Sequence, residues 1–216
     1  MNLIKQNIVE MELNNIFPGL QNIHNFMFVG KFDKHKYYKD INLFTNFDVN
    51  NIESNTEWDC KLQTNFPGKD IGLLKPNLIN NLFDDLLLFL QKETKKYDIK
   101  WMKNLVYSSK NLGWYNMYKK GFGQERHSHL GEGNILSGVY YYKSPSTIQF
   151  FNPETRNTHM IQNGNLIPLP EAQITVQFEP EEGTLILFSN QIDHSVPKYN
   201  GDDVRISFAF NLGIKE

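Results

Sequence analysis

Cysteine is almost absent from this 216-residue chain: Cys60 stands alone, so no intramolecular disulfide and no multi-cysteine zinc site can form. The expectation is a reducing, cytoplasmic compartment. An excess of either charge is missing too, because 22 Lys and Arg against 24 Asp and Glu leave a formal net charge of -2. That balance offers neither nucleic acid nor an anionic membrane an electrostatic footprint. No run approaches the roughly 20 apolar residues of a membrane span. The opening MNLIKQNIVEMELNN breaks its apolar residues with Lys5, Gln6, Glu10 and Glu12, which leaves no signal-peptide core. Arginine is scarce, with Arg126, Arg156 and Arg205 against many lysines, so each arginine carries more information. No Ser/Gly linker, repeat or charge block divides the chain.

What is present is aromatic and strand-forming. There are 16 Phe, 10 Tyr and 3 Trp, and 40% of residues are apolar against 21% charged, a globular profile able to bury one core. A single domain is expected over residues 1–216, with a helical and β support region at 1–103 and a jelly-roll core at 104–216. In the support region Ile79, Leu82, Phe83, Leu86, Leu87 and Leu90 recur at helical spacing. Pro76 suits the start of that helix and Lys92, Lys95 and Lys96 suit its end, so a helix is expected from Lys75 to Lys96. A shorter helix is expected near 33–43, with strands near 26–29 and 58–64. After Asn104 come LVYSS, GWYNMY, ILSGVYYY, STIQFF, AQITVQF, GTLILFS and VRISFAFNL, separated by Gly, Pro and Asn. Short strands rich in aromatic and β-branched residues at this spacing indicate a sandwich or barrel. The fold class is therefore mainly β (α+β), a jelly-roll core with flanking N-terminal helices.

Three of the six histidines fall where strand geometry can gather them: His127 and His129 in QERHSHLGEG, and His194 in NQIDHSVP. Residues i and i+2 of a strand share a face, so His127 and His129 can project together, and a histidine at another strand end can complete a facial set with open metal positions. An HxH pair alone is more often a surface or hydrogen-bonded pair; it is the surrounding motifs that raise the metal reading.

HxH, SGVYYY, EGTLILF, DHSVP and RIS, in this order and spacing, resemble the 2-oxoglutarate and Fe(II)-dependent dioxygenases. The likeness is to the prolyl-4-hydroxylase-like branch with its bacterial and phage members, and it covers about residues 104–214. It implies a double-stranded β-helix core, Fe(II) and 2-oxoglutarate as cofactor and cosubstrate, and O2 as oxidant. It also implies oxidative decarboxylation to succinate and CO2 coupled to hydroxylation of a primary substrate, such as a peptidyl proline or an amino acid. His127 and His194 match the family's histidine ligands. Where the family has Asp this chain has His129, which would give three histidines and a more positive metal. Glu132 in the following loop, or water with His129 behind it, are the alternatives at that position.

The same resemblance assigns Arg205, in the planar geometry suited to a carboxylate, and Ser207 on the same strand face to the far carboxylate of 2-oxoglutarate. Tyr141 is matched to a tyrosine that bonds that carboxylate, with alternation leaving either Tyr141 or the pair Tyr140 and Tyr142, and Tyr118 to the other end. Trp114, Asn116 and Tyr118 alternate on one strand face, and the first two are candidate substrate contacts. His24, His35 and His159 have no partner spacing, and Cys60 reads as a small buried hydrophobe. Two rival readings stand. GFGQERHSH also fits a cupin-type metal enzyme, although Gly183 precedes His194 by eleven residues rather than closely. A jelly-roll binding module without metal is the other.

Overall fold

The computed structural model describes residues 2–4, 12–14, 27–32, 63–64, 76–95, 104–108, 113–131, 133–143, 145–152, 159–162, 165–168 and 175–215. The helix expected at 33–43, and His24, His35, Cys60 and Glu132, lie outside them. The expected long helix is α1, Pro76–Thr94. Its Leu82, Phe83, Leu86 and Leu90 are buried while Leu88 is 63% exposed, so one stripe faces the core.

Two sheets form the body. The larger runs β2 (Glu12–Asn14), β3 (Met27–Lys31), β13 (Thr184–Ser189), β8 (Leu136–Lys143), β15 (Arg205–Ile214), β6 (Trp114–Tyr118) and β4 (Gln63–Thr64), with β5 (Leu105–Tyr107) also on β15. The smaller runs β1 (Asn2–Ile4), β12 (Thr175–Phe178), β9 (Ile148–Phe151), β14 (His194–Val196) and β7 (Gln124–His127). Every pairing is antiparallel except β1 on β12. Separately, β10 (His159–Gln162) pairs antiparallel with β11 (Asn165–Pro168). Strands from before residue 104 are built into both sheets: β3 pairs with β13, and β1 with β12. Among the described residues no helix is long and apolar enough to cross a membrane.

Period-two alternation sorts the large sheet into two faces. Phe28, Tyr115, Met117, Tyr140, Tyr142, Leu185, Leu187, Ile206, Phe208, Phe210 and Leu212 turn to α1 and form one cluster with its buried stripe. Met27, Val29, Tyr141, Ile186 and Phe188 turn the other way and meet Ile148, Phe150, Val176 and Phe178 of the small sheet. The order is helix, large sheet, small sheet, and apolar packing between the sheets surrounds a cavity lined in part by histidines and Arg205. Gly138 is needed where it stands, because a Cβ there would lie 2.3 Å from the Phe210 ring. Gly183, at φ 81°, turns the chain into β13 and donates its N–H to the Tyr141 carbonyl at 2.7 Å.

The helix is pinned by Phe83, which meets Tyr107, Phe208 and Phe210 edge-on at centroid distances of 5.8, 6.3 and 6.0 Å. The Tyr107 hydroxyl donates to the Phe83 carbonyl, and Gln91 Nε2 donates to the Leu105 carbonyl at 2.8 Å. Truncating Phe83→Ala should lower unfolding free energy by about 3–5 kcal/mol in urea titration. A loss under about 1 kcal/mol would show that this ring does not dock the helix.

Candidate active site

The site begins with the pairing of β14 and β7. His194 stands opposite His127 and Val196 opposite Gln124, so three residue steps in β7 face two in β14 and the register shifts between them. This is the count of a β-bulge, which re-aims side chains on the longer strand. It brings Gln124 and His127, three apart and on opposite faces of a regular strand, onto one cavity. The His127 and His194 rings lie 4.3 Å apart by centroid. Each has its Nδ1 against a backbone carbonyl two residues back, Glu125 for His127 at 2.9 Å and Ile192 for His194 at 3.1 Å. A carbonyl only accepts, so in the neutral form each ring carries its hydrogen on Nδ1 and turns the Nε2 lone pair to the cavity.

His129 is not on the strand as expected from the HxH spacing, because β7 ends at His127. It sits on the loop that follows, and that loop is held by Asn190, a buried residue after β13. The His129 N–H donates to the Asn190 carbonyl at 3.1 Å, while the Asn190 amide donates to the Asn134 and His129 carbonyls at 2.8 and 3.4 Å. The His129 ring stacks on Trp114 at 5.6 Å and 23° and on His194 at 5.1 Å and 10°. One potential ligand atom from each of the three histidines falls within 4.8 Å of the others. Burial pulls His129 down to about 4, helped by the neighbouring His127. Burial likewise pulls His194 well below the ordinary imidazole value, with His127 and His129 adding to it. The protein therefore holds these two rings neutral, the form that ligates a metal.

Beside the histidines the cavity turns cationic. Arg205 is 1% exposed, yet its Nε and Nη1 have no hydrogen-bond partner among the described residues. Its guanidinium lies 4.4 Å over the Tyr118 ring, its partner across β15 and β6, and 5.7 Å from the Tyr141 ring. The Tyr141 hydroxyl is likewise buried without a partner, and burial raises its pKa, with the Arg205 charge pulling in the opposite sense. Ser207 pairs with Tyr141 on one side and Asn116 on the other. A buried cation without a counter-ion is costly. Its two open donors, a serine and an unpaired phenol suit a carboxylate.

Every proposed site residue lines one cavity of about 420 Å³, open mouth included: His127, His129, His194, Arg205, Ser207, Tyr118, Tyr141, Trp114 and Asn116. Among the three consecutive tyrosines it is Tyr141 that faces it, while Tyr140 and Tyr142 pack toward the helix. His159 lies on β10, in the separate two-stranded sheet. Sequence reasoning missed Gln124 and Asn190. Spacing hides the first because only a bulge puts it beside His127, and the second acts on a loop sixty-one residues away.

Two sheets enclose a buried arginine and three histidines that could hold a metal ion. Residues 113–211 match the family described as putative 2OG-Fe(II) oxygenase, a span that contains every residue lining the cavity. Proteins of that family are oxidoreductases using Fe(II) and 2-oxoglutarate. A solved oxidoreductase of the 2OG-Fe(II) oxygenase family from Burkholderia pseudomallei shares the fold, with TM-score 0.55 and 13% identity over 87% of this chain and 84% of its own. A Pseudomonas putida prolyl-4-hydroxylase aligns over 96% of this chain and 94% of its own at 12% identity, TM-score 0.48. A viral collagen prolyl hydroxylase from Paramecium Bursaria Chlorella virus-1 aligns over 87% and 96% at 12% identity, TM-score 0.46. None of the curated proteins matches the sequence.

The depressed imidazoles make stability depend on pH with a definite sign. Between the ordinary 6.5 and about 4, the unfolded chain protonates His129 while the folded, metal-free chain does not. Folding is therefore expected to weaken as pH falls through that window and to level off for His129 below it. Thermal unfolding of metal-free wild type and His129→Gln across pH 7 to 4 isolates this group, the wild type losing more on acidification. Parallel curves for the two proteins would contradict the burial argument.

Proposed function

We propose that this protein, acting as one domain over residues 1–216, is an Fe(II)- and 2-oxoglutarate-dependent dioxygenase that hydroxylates its primary substrate. 2-Oxoglutarate, O2 and a substrate C–H would become succinate, CO2 and an alcohol, one oxygen atom going to each of succinate and product. The observation that carries this reading is the shared cavity: three gathered imidazoles on one side and a buried arginine with two open donors on the other. The donor set fits the cofactor, since neutral imidazoles suit Fe(II) and leave positions open. His127, His129 and His194 would hold the metal, His129 standing where the family has a carboxylate. When bound, Fe(II) supplies the one-electron chemistry with O2 that side chains lack.

The remaining roles follow from the chain's own groups. Arg205 neutralises the far carboxylate and orients it through a planar pair of N–H groups, with Ser207 and Tyr141 donating hydroxyl hydrogens to the same oxygens. Tyr118 supports the guanidinium with its ring face. Phe188 and Phe150 flank His194 and keep water from that side. Trp114 and Asn116 line the wall beside His129 and are assigned to the substrate, a peptidyl residue or an amino acid by the prolyl-hydroxylase likeness. A cytoplasmic location belongs to the same reading and rests on the single cysteine.

Anaerobic titration of Fe(II)-loaded protein with 2-oxoglutarate should produce a visible charge-transfer band. Iron uptake without a band would favour the cupin-like alternative, and no uptake would favour a binding module. Arg205→Ala should weaken 2-oxoglutarate binding by about 100-fold or more while iron is retained, the scale of stranding one partner of a buried charge pair. An unchanged cosubstrate constant would remove Arg205 from the site. His129→Asp, which substitutes a carboxylate ligand for an imidazole, should keep iron but shift its spectrum. Spectra identical to wild type would show that His129 does not touch the metal.

A further inference from the structure

Gln124 has no part in the assignments above, yet both ends of its side-chain amide are engaged in the cavity. The argument starts at His127, whose Nδ1 faces the Glu125 carbonyl at 2.9 Å and must carry the hydrogen. In the neutral ring, the form that ligates a metal, His127 Nε2 is a bare lone pair, and Gln124 Nε2 at 3.3 Å is the donor that meets it. The amide oxygen consequently faces Tyr118, whose hydroxyl donates to it at 2.9 Å. The two contacts agree on one orientation of the amide, and Tyr118 is itself the ring beneath the Arg205 guanidinium at 4.4 Å. A continuous chain of contacts therefore runs from the anion pocket through Tyr118 and Gln124 to the lone pair of a histidine in the three-histidine cluster.

A metal on His127 needs the same lone pair that Gln124 occupies. One of the two must leave. The amide oxygen remains tethered by Tyr118, so the displaced N–H group stays at the cavity wall between the anion pocket and the histidines, with nothing but an acceptor able to satisfy it.

We propose that Gln124 is a positioning residue with two successive partners. In the metal-free protein its amide nitrogen caps His127 Nε2. In the metal-loaded protein it donates to an anionic oxygen of the 2-oxoglutarate bound beside the metal. The inference rests on the metal and cosubstrate reading above and adds to it a link between cosubstrate binding and the state of the metal ligand. It predicts opposite signs for the two binding steps. Removing the amide frees His127 and favours metal, but deprives the cosubstrate of a donor.

The test uses the full-length chain stripped of metal, titrated anaerobically first with Co(II), followed by its visible absorption, and then with 2-oxoglutarate by calorimetry. Gln124→Leu should bind Co(II) a few-fold more tightly than wild type and 2-oxoglutarate about five- to tenfold more weakly, in line with the usual worth of one hydrogen bond. Gln124→Asn keeps the amide but withdraws it by one methylene, and should show the same split if the leucine variant does not fold. Equal constants in wild type and variant, or weaker binding at both steps, would overturn the role of Gln124 while leaving the metal site standing. Wild-type protein that takes up no Co(II) would overturn the metal reading itself, and this inference with it.

Discussion

The antiparallel pairing of β14 with β7 is the contact on which the site depends. It sets His194 opposite His127 and closes a separation of sixty-seven residues to a ring distance of 4.3 Å. The same pairing contains the bulge, so it decides both which histidines meet and which neighbour faces them. β9 lies along the other edge of β14, with Phe150 opposite His194, and locks that strand from both sides. The two Nδ1 contacts to backbone carbonyls then turn the rings, so the backbone of β7 and of the turn before β14 orients the candidate ligands before any metal arrives.

The large sheet contributes the opposite wall by a different device. β15 alternates Ile206, Phe208, Phe210 and Leu212 toward the helix with Arg205, Ser207 and Ala209 toward the cavity. Burial of the aromatic face holds the strand rigid, and that rigidity makes it possible to keep a guanidinium at 1% exposure. Burial of those rings, at roughly 25 cal/mol per Å² of apolar area, works against the desolvation cost of one cation resting on Tyr118. Stability and function are thus drawn from opposite faces of one strand.

Departure from a carboxylate at His129 has an electrostatic consequence. Three neutral imidazoles bring no negative charge to a dication, so the centre would remain more positive than a two-histidine, one-carboxylate set and hold anionic oxygen ligands more strongly. The stack of Trp114, His129 and His194 fits that substitution. Aromatic rings pack well face to face with an offset, whereas an aspartate in the same slot would lie unpaired against Trp114.

Elements that repeat with a period were legible in the chain: the stripe of α1, the shared face of Trp114, Asn116 and Tyr118 on β6, and that of Arg205 and Ser207 on β15. Alternation is a local property of the backbone, so it is readable from neighbours two or four residues apart. Ordered motifs also singled out His127, His129 and His194. Tertiary structure alone decided the rest. That Tyr141 rather than Tyr140 and Tyr142 faces the cavity depends on which side of β8 the helix covers. That His129 reaches the cluster from a loop depends on Asn190, and that Gln124 joins it depends on a register shift between β7 and β14. Hydrogen bonds between strands distant in sequence set a register, and no periodicity within either strand records where the partner inserts or omits a residue.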